Sequence, residues 1–332
     1  MSLAKTQTIR QTRAWTWARN SYLGEFLRGS KRCVRELRAW MGPEQALPPH
    51  VDRVLNSIAS LHMGHADALQ EAQSPDAPLF LLSNGMRTGS TLLQRVLVTD
   101  PRVLLWGEPL GDMALICRLT EMISQSICPW NLEQWRNHDP RSSSIATSWI
   151  SDLYPPGADF RLALRGLFDR WLYQPARELG FARWGFKEVR LGGAEAVLLR
   201  WLYPNAKFIV LLRNPFDAYR SLADSKWLVY HRYPDICLDS AASFSRVWNR
   251  LALSWSELPP GFPAFTVKYE DLVRGKVDFR QLEAWLGIEI KENVALAATV
   301  GGTAKRTRLS WYERLIIGQE TAAGRRALGY SD

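Results

Sequence analysis

One stretch of the chain, PLFLLSNGMRTGSTLLQRVL at positions 78–97, limits what the rest can fold into. The apolar run Leu79-Phe80-Leu81-Leu82 stops at Ser83-Asn84-Gly85. After the loop Met86-Arg87-Thr88-Gly89-Ser90-Thr91, apolar residues recur as Leu92, Leu93, Val96 and Leu97. A short continuous apolar run followed by helical spacing reads as buried strand, glycine loop and helix. From Gly85 to Thr91 the chain sets two glycines, three hydroxyls and one arginine at a helix N-terminus. The first N–H groups of a helix lack intrahelical partners, and the dipole adds partial positive charge, so such a turn suits a phosphate. The competing reading is an ordinary strand-to-helix turn with a Ser/Thr cap.

The loop departs from the nucleotide-triphosphate pattern G-x-x-x-x-G-K-[ST], in which a lysine reaches the β/γ-phosphates. It contains no lysine; Arg87 precedes Gly89, and Ser90-Thr91 follow. An arginine fork suits a 5′-phosphate or sulfate ester better than a magnesium triphosphate. A second strand-to-helix transition lies at 206–227. Lys207-Phe208-Ile209-Val210-Leu211-Leu212 reads as a buried strand, Arg213-Asn214-Pro215-Phe216-Asp217 breaks it, and Ala218-Tyr219-Arg220-Ser221-Leu222 continues a helix. Pro215 suits the first helical turn, where its missing N–H costs nothing. Arg213 then stands at the carboxyl end of a parallel strand, where open α/β sheets bind ligands, with Ser221 about two turns further on.

The two segments resemble the cofactor-binding signatures of sulfotransferases that use 3′-phosphoadenosine-5′-phosphosulfate (PAPS). Their first signature is R-[ST]-G-[ST]-[ST]-L-L, here Arg87-Thr88-Gly89-Ser90-Thr91-Leu92-Leu93; their second is R-[ND]-P-x-[ED]-x-x-x-S, here Arg213 through Ser221. The resemblance implies that Arg87, Thr88, Gly89, Ser90, Thr91 and Leu92 hold the 5′-phosphosulfate, and that Arg213 and Ser221 hold the 3′-phosphate. Trp184-Gly185-Phe186-Lys187-Glu188-Val189-Arg190 precedes a helix at 194–203 and then the Arg213 strand. Tyrosylprotein and carbohydrate sulfotransferases carry a lysine at the equivalent place, which implies that Lys187 contacts the transferring sulfuryl group or the bridging oxygen. A fixed cation there stabilises the charge that develops on the leaving phosphate. The other reading of Lys187 is a strand-end lysine paired with Glu188.

The acceptor hydroxyl needs a base. A strand is expected at 103–106, with Glu108 just past it in Gly107-Glu108. The tyrosylprotein-type enzymes use a glutamate in a similar G-E segment, which assigns that role to Glu108 by resemblance. Enclosure by Trp106 and apolar neighbours predicts a raised pKa for it. Its alternatives are a plain loop carboxylate, or a partner for Arg87 or Lys187. Other sulfotransferases use a histidine, so His138 and His231 remain rivals. The family's third cofactor element is a basic loop near the C-terminus. Gly301-Gly302-Thr303-Ala304-Lys305-Arg306-Thr307-Arg308 resembles it loosely, with Lys305 and Arg306 as cofactor-binding candidates before a helix at 309–317. A solvated basic turn reads equally well. Tyr269-Glu270-Asp271-Leu272, after a strand at 264–268, resembles the Y-E-D-L of many sulfotransferases and reads as scaffold.

Residues 1–41 hold nine Lys/Arg against two Asp/Glu, which is +7 of the chain's formal +9. Residues 3–41 also carry Trp15, Trp17, Tyr22, Phe26 and Trp40. The surplus charge therefore does not belong to the cofactor site. It marks a face for an anionic partner or a membrane surface, or else amphipathic helices that pack their aromatic side on the core. No recognised nucleic-acid module accompanies the charge, so no nucleic acid is expected. Cys33, Cys117, Cys128 and Cys237 show no metal spacing, and no apolar leader or membrane-length apolar run is visible. We therefore expect a cytoplasmic, metal-free protein, peripheral to a membrane only through residues 3–41.

The expected fold is α/β and three-layered: a mainly parallel central sheet with a P-loop-like strand-loop-helix, plus N-terminal helices and a helical insertion. The division is a helical extension and linker at 1–50 and an α/β domain at 51–332, with the insertion at about 109–180. Trp130, Trp135, His138 and Trp149 in that insertion are candidates for an acceptor pocket. The expected function is sulfuryl transfer from PAPS to a sugar, phenol, lipid or natural-product hydroxyl. The alternatives are a P-loop kinase-like phosphotransferase, disfavoured by the missing lysine, and a non-catalytic nucleotide- or membrane-surface-binding protein.

Overall fold

A computed structural model of the chain describes residues 31–42, 50–62, 77–109, 111–125, 141, 147, 157–224, 232–233, 236–291 and 308–330. From the amino end come α1 (Lys31–Met41), α2 (Val51–His62), β1 (Leu79–Ser83), α3 (Ser90–Leu97) and β2 (Val103–Trp106). Then follow α4 (Leu115–Ser124), α5 (Gly157–Phe168), α6 (Gln174–Glu178), β3 (Arg183–Glu188), α7 (Gly193–Leu202) and β4 (Lys207–Leu212). The carboxyl half holds α8 (Pro215–Ala223), the short strands β5 (Arg232–Tyr233) and β6 (Ile236–Cys237), α9 (Ala241–Ser256) and β7 (Ala264–Lys268). Last come α10 (Tyr269–Val273), α11 (Phe279–Leu286), α12 (Trp311–Glu320) and α13 (Ala322–Ala327).

The first strand expected from the sequence is the middle of a five-stranded sheet of order β2-β3-β1-β4-β7. All four of its pairings are parallel. A parallel strand is covered on both faces, which is why β1 is an unbroken apolar run rather than an alternating one. Phe80 and Leu82 face one side, where Phe186, Phe208, Val210 and the α7 residues Leu198 and Leu202 join them. Leu79 and Leu81 face the other, against Leu93 and Val96 of α3, Ile209 and Leu211 of β4, and Leu282 of α11. The result is the three-layer arrangement expected from the sequence.

The strand order also places the functional segments. The connection that leaves β1 leads to β2 on one side of it, and the connection that leaves β3 crosses β1 to reach β4 on the other, a reversal that leaves a crevice at the carboxyl ends of the strands. The segments after β1, β2, β3 and β4 all open at that end.

Helix boundaries follow local chemistry. Asn214 caps α8 by accepting from Phe216 N at 3.0 Å, with Pro215 in the first turn. The helix expected at 309–317 instead runs from Trp311 to Glu320, because Ser310 takes the cap position. Ser310 Oγ accepts from Glu313 N, and Glu313 Oε2 accepts from Ser310 N at 2.8 Å. Within the insertion, α5 passes into α6 through a π turn at Asp169–Tyr173 that the sequence reading did not anticipate. Tyr203 Oη donates to Asp169 Oδ1 at 2.7 Å and Trp106 Nε1 to Leu172 O at 3.0 Å, which pins that turn to the sheet.

The described part of the basic N-terminal stretch, α1, packs on α9 and α12. Glu36 is fully buried and accepts from Ala241 N at 2.6 Å, at the start of α9. Trp40 Nε1 donates to Glu320 at 2.8 Å, while Arg38 faces solvent. Residues 1–30 lie outside the described residues. The next helix, α2, is described from Val51 to His62. No helix among the described residues is long and apolar enough to cross a membrane.

Candidate active site

After β1 the chain turns through three left-handed residues: Gly85 (φ 135°), Arg87 (φ 62°) and Gly89 (φ 90°). Ser83 Oγ and Thr88 Oγ1 both donate to Gly85 O, at 2.8 and 3.3 Å, and close the loop from inside. Glycine relieves the strain at two of these positions. Arg87 bears it, at a cost of about 1–3 kcal/mol, the kind of strain that clusters at ligand sites. Gly89 has a second constraint: a Cβ there would run into the ring of Tyr269. Thr88 and Ser90 are buried, Gly89 and Leu92 are half-buried, and Arg87 and Thr91 are exposed. Of the three hydroxyl residues at 88–91, only Thr91 is exposed.

Because β1 pairs with β4, the second motif lands against the first. Arg213 N donates to Asn84 Oδ1 at 3.1 Å, and Asn84 Nδ2 donates to Arg213 O at 3.3 Å, welding the two strand ends together. The Arg213 guanidinium donates to Arg87 O at 2.6 Å and stacks on the Tyr269 ring, 4.0 Å from its centroid. Arg87 Nε in turn donates to Ser221 Oγ at 3.2 Å. Arg87, Arg213 and Ser221, from two motifs more than a hundred residues apart, therefore form one cluster. Burial pulls the Arg213 guanidinium down from its usual range; Tyr269, Asp217 and Glu270 oppose that, and Arg87 adds to it. The group remains a cation, as arginine does in proteins. Arg213 Nε is buried with no hydrogen-bond partner among the described residues. An orphaned cationic donor is costly unless an acceptor satisfies it, so this donor set fits a phosphate.

The third cluster forms because β2 pairs with β3, with Trp106 beside Phe186. Two residues past β2, Glu108 reaches the end of β3, where Lys187 Nζ donates to its Oε1 and Arg190 Nη1 donates to its Oε2 at 2.8 Å. The same Arg190 nitrogen also donates to Glu188 Oε1 at 2.8 Å. Lys187 and Arg190 are nearly buried, at 8% and 9% side-chain exposure, whereas Glu108 is open at 31%. The partner of Lys187 is therefore Glu108, not the adjacent Glu188. Burial alone would push the Glu108 carboxyl up, but the cations Lys187 and Arg190 outweigh it and hold the group below the usual carboxylate range. The raised pKa expected from Trp106 is thus overturned, because that expectation counted the apolar enclosure and not the two cations. The group that is raised is Glu188, through burial, with Arg190 opposing and Glu108 reinforcing.

Three further groups bear on the site without having been assigned to it. Arg190 stood in the same sequence segment as Lys187, and its only signal was a second basic residue, two positions past the strand end. Tyr269, read as scaffold, supports both Gly89 and Arg213. Glu270 accepts from Asn214 N at 2.9 Å and from Tyr330 Oη at 3.3 Å, which ties the second motif to the carboxyl end of the chain. Lys305, Arg306, His138, His231, Trp130, Trp135 and Trp149 lie outside the described residues. Among the described residues no group of three His, Cys, Asp or Glu side chains could hold a metal ion.

Residues 78–292 match the model of a family described as the sulfotransferase family. No curated protein matches the chain. Among solved structures, it is similar to a sulfotransferase from Alicyclobacillus acidocaldarius, with 14% identity over 77% of this chain and 97% of that one and a TM-score of 0.41. A sulfotransferase domain from the olefin synthase of Synechococcus PCC 7002 has 19% identity over 80% of this chain and 100% of that one, with a TM-score of 0.40. A sulfotransferase domain from the curacin biosynthetic pathway has 17% identity over 77% and 98%, with a TM-score of 0.41.

Proposed function

The chain belongs to the sulfotransferase family, and from that premise we propose that it moves a sulfuryl group from PAPS to a hydroxyl of a small-molecule, glycan or lipid acceptor. The observation that carries this reading is the junction of the two anion-binding motifs, where Arg213 donates to Arg87 O at 2.6 Å and Arg87 to Ser221 at 3.2 Å. A second phosphate on the nucleotide is what such a paired-arginine cluster would distinguish from an ordinary mononucleotide.

PAPS, when bound, supplies a sulfuryl group whose sulfur–oxygen bond to the 5′-phosphate breaks as the acceptor oxygen bonds to sulfur. Arg213 and Ser221 hold the 3′-phosphate, and Arg87, expected from the sequence on the 5′-phosphosulfate, is reassigned to join them because its Nε donates to Ser221 Oγ at 3.2 Å. The loop Thr88, Gly89, Ser90, Thr91 and Leu92 holds the 5′-phosphate, chiefly through backbone N–H groups at the start of α3. Lys187 places a cation where negative charge grows on the departing phosphate, and such preorganised charge favours the transition state over the ground state. Glu108 takes the acceptor's proton. Lys305 and Arg306 are further cofactor contacts in this reading.

The test is transfer of labelled sulfate from [35S]PAPS to a panel of sugar, phenol, lipid and natural-product hydroxyls, with PAP release followed in parallel. Labelled product should form without added metal, and Glu108→Ala and Lys187→Ala should each abolish it while PAP still binds. Phosphoryl transfer from Mg-ATP with no use of PAPS would overturn the proposal. Transfer that survives Glu108→Ala would remove Glu108 as the base.

A further inference from the structure

The Glu108 carboxylate has two oxygens and two cationic partners, and the partners are not alike. Lys187 occupies Oε1 alone, through a flexible stem. Arg190 occupies Oε2 with the same nitrogen that it gives to Glu188. Glu188 is itself fixed: it is 3% exposed, and its Oε1 accepts from Val189 N at 2.8 Å and from Arg190 N at 3.2 Å. The loop that carries Glu108 closes tightly over this arginine, since a Cβ on Gly111 would run into the Arg190 guanidinium and approach Glu188 Oε2 to 3.2 Å. Arg190 is thus held on a buried carboxylate that backbone N–H groups fix in turn, and under a close glycine, whereas Lys187 is held only by Glu108 among the contacts described above.

We propose that Arg190 is the positioning residue of the reaction: it keeps Glu108 fixed by Oε2 while Lys187 is drawn from Oε1 to the cofactor, leaving Oε1 for the acceptor hydroxyl. This rests on the PAPS reading of the site. Without Arg190, departure of Lys187 would leave a half-buried carboxylate with no cation, and its partial burial would favour the neutral form, which cannot accept a proton. With Arg190 in place the carboxylate stays ionised and keeps one oxygen bound and one oxygen free. The charged groups that face Glu108 are Lys187 and Glu188 of β3 and Arg190 of the following loop. Cys117 of α4 lies against Arg190 O at 3.8 Å, and burial pushes its thiol up, so it stays neutral.

The test reads Glu108 directly and needs no acceptor. Protein labelled with 13C at the glutamate carboxyl, with Glu108 assigned by Glu108→Gln, is titrated by NMR with and without saturating PAP. The variants are Lys187→Gln, Arg190→Gln, and Arg190→Gln combined with Glu188→Gln, which removes the carboxylate that loss of Arg190 leaves unpaired. PAP should raise the wild-type Glu108 pKa as Lys187 leaves, and should not raise it further in Lys187→Gln. With PAP bound, the Arg190 variants should titrate at least about one unit above wild type, as expected for removal of an adjacent guanidinium. Equal Glu108 titration in PAP-bound wild type and both Arg190 variants would overturn the positioning role. A wild-type value unmoved by bound PAP would overturn the hand-over of Lys187. Failure of PAP to bind wild type at all would overturn the cofactor reading, and this inference with it.

Discussion

Replacing Arg213 by alanine should separate the two phosphates of the nucleotide. Arg213 stands at the carboxyl end of β4, stacked 4.0 Å from the centroid of Tyr269 and bonded to Arg87 O at 2.6 Å. Its guanidinium is therefore preorganised, and little side-chain entropy remains to be lost on binding. A hydrogen bond to a charged group contributes about 1.5–3 kcal/mol. At 1.4 kcal/mol per tenfold, loss of one such contact weakens PAP by roughly 10- to 150-fold. The 3′-phosphate is the proposed partner, so 5′-AMP, which lacks it, should change by no more than about threefold, the change that roughly 0.6 kcal/mol gives. Isothermal titration calorimetry of both ligands at one fixed ionic strength measures the two losses side by side. Ser221→Ala should show the same selectivity with a smaller loss, about 0.5–1.5 kcal/mol for a neutral hydrogen bond. Equal weakening of PAP and 5′-AMP by Arg213→Ala would refute the reasoning, because it would place the arginine on a group that both ligands share.

Three further outcomes follow from named contacts. Gly89→Ala should destabilise the fold by at least about 1–2 kcal/mol, the cost of a left-handed non-glycine residue, and should lower PAP affinity, since its Cβ meets Tyr269; a thermal melt and a PAP titration at wild-type values would contradict this. Lys187 and Arg190 depress the Glu108 carboxyl, so the acid limb of the kcat/KM profile should lie below the ordinary glutamate value of about 4.3, with activity lost as pH falls through it; an acid limb near pH ~6–7 would mean that burial wins instead. Asp100 is buried, accepts from Arg102 Nη2 at 2.6 Å and from Glu289 N at 2.9 Å, and is held well below the usual carboxylate range chiefly by Arg102. Its folded pKa is depressed, so it stabilises the fold above the unfolded value of about 3.9 and loses that contribution as pH falls below it. Asp100→Asn should thus cost about 1.5–3 kcal/mol at pH 7 in urea unfolding, with a difference that shrinks toward pH 2; a pH-independent difference would contradict the assignment.

Much of the site was legible because its parts are local. Leu79 to Leu82 followed by a glycine loop could only be a buried strand entering a helix, and Arg213-Asn214-Pro215 carries its own strand end, cap and first turn. What the sequence could not contain was adjacency across the sheet. Glu108 meets Lys187 and Arg190 only because β2 pairs with β3, and a chain read in order does not announce the order β2-β3-β1-β4-β7. That is why a raised pKa was expected of Glu108 from Trp106, with pairing to Lys187 named only as an alternative and Arg190 not named at all. Tyr269 illustrates the same limit. Its position after an edge strand looked structural, yet the pairing of β7 with β4 lays its ring over Gly89 and beneath Arg213. The π turn at Asp169–Tyr173 was missed because its irregularity is held by Tyr203 and Trp106, distant partners that no helical periodicity reveals.

The most direct measurement is thermal stability of the wild-type protein with PAP, 5′-AMP and Mg-ATP in parallel. A ligand at about 100 times its dissociation constant adds roughly 2.7 kcal/mol to the folded state, which raises the melting temperature by several degrees. We expect PAP to produce a shift well above the other two, because only PAP presents a 3′-phosphate to Arg213, Arg87 and Ser221. A shift with Mg-ATP alone would contradict the central claim and make the loop at 85–91 a triphosphate site.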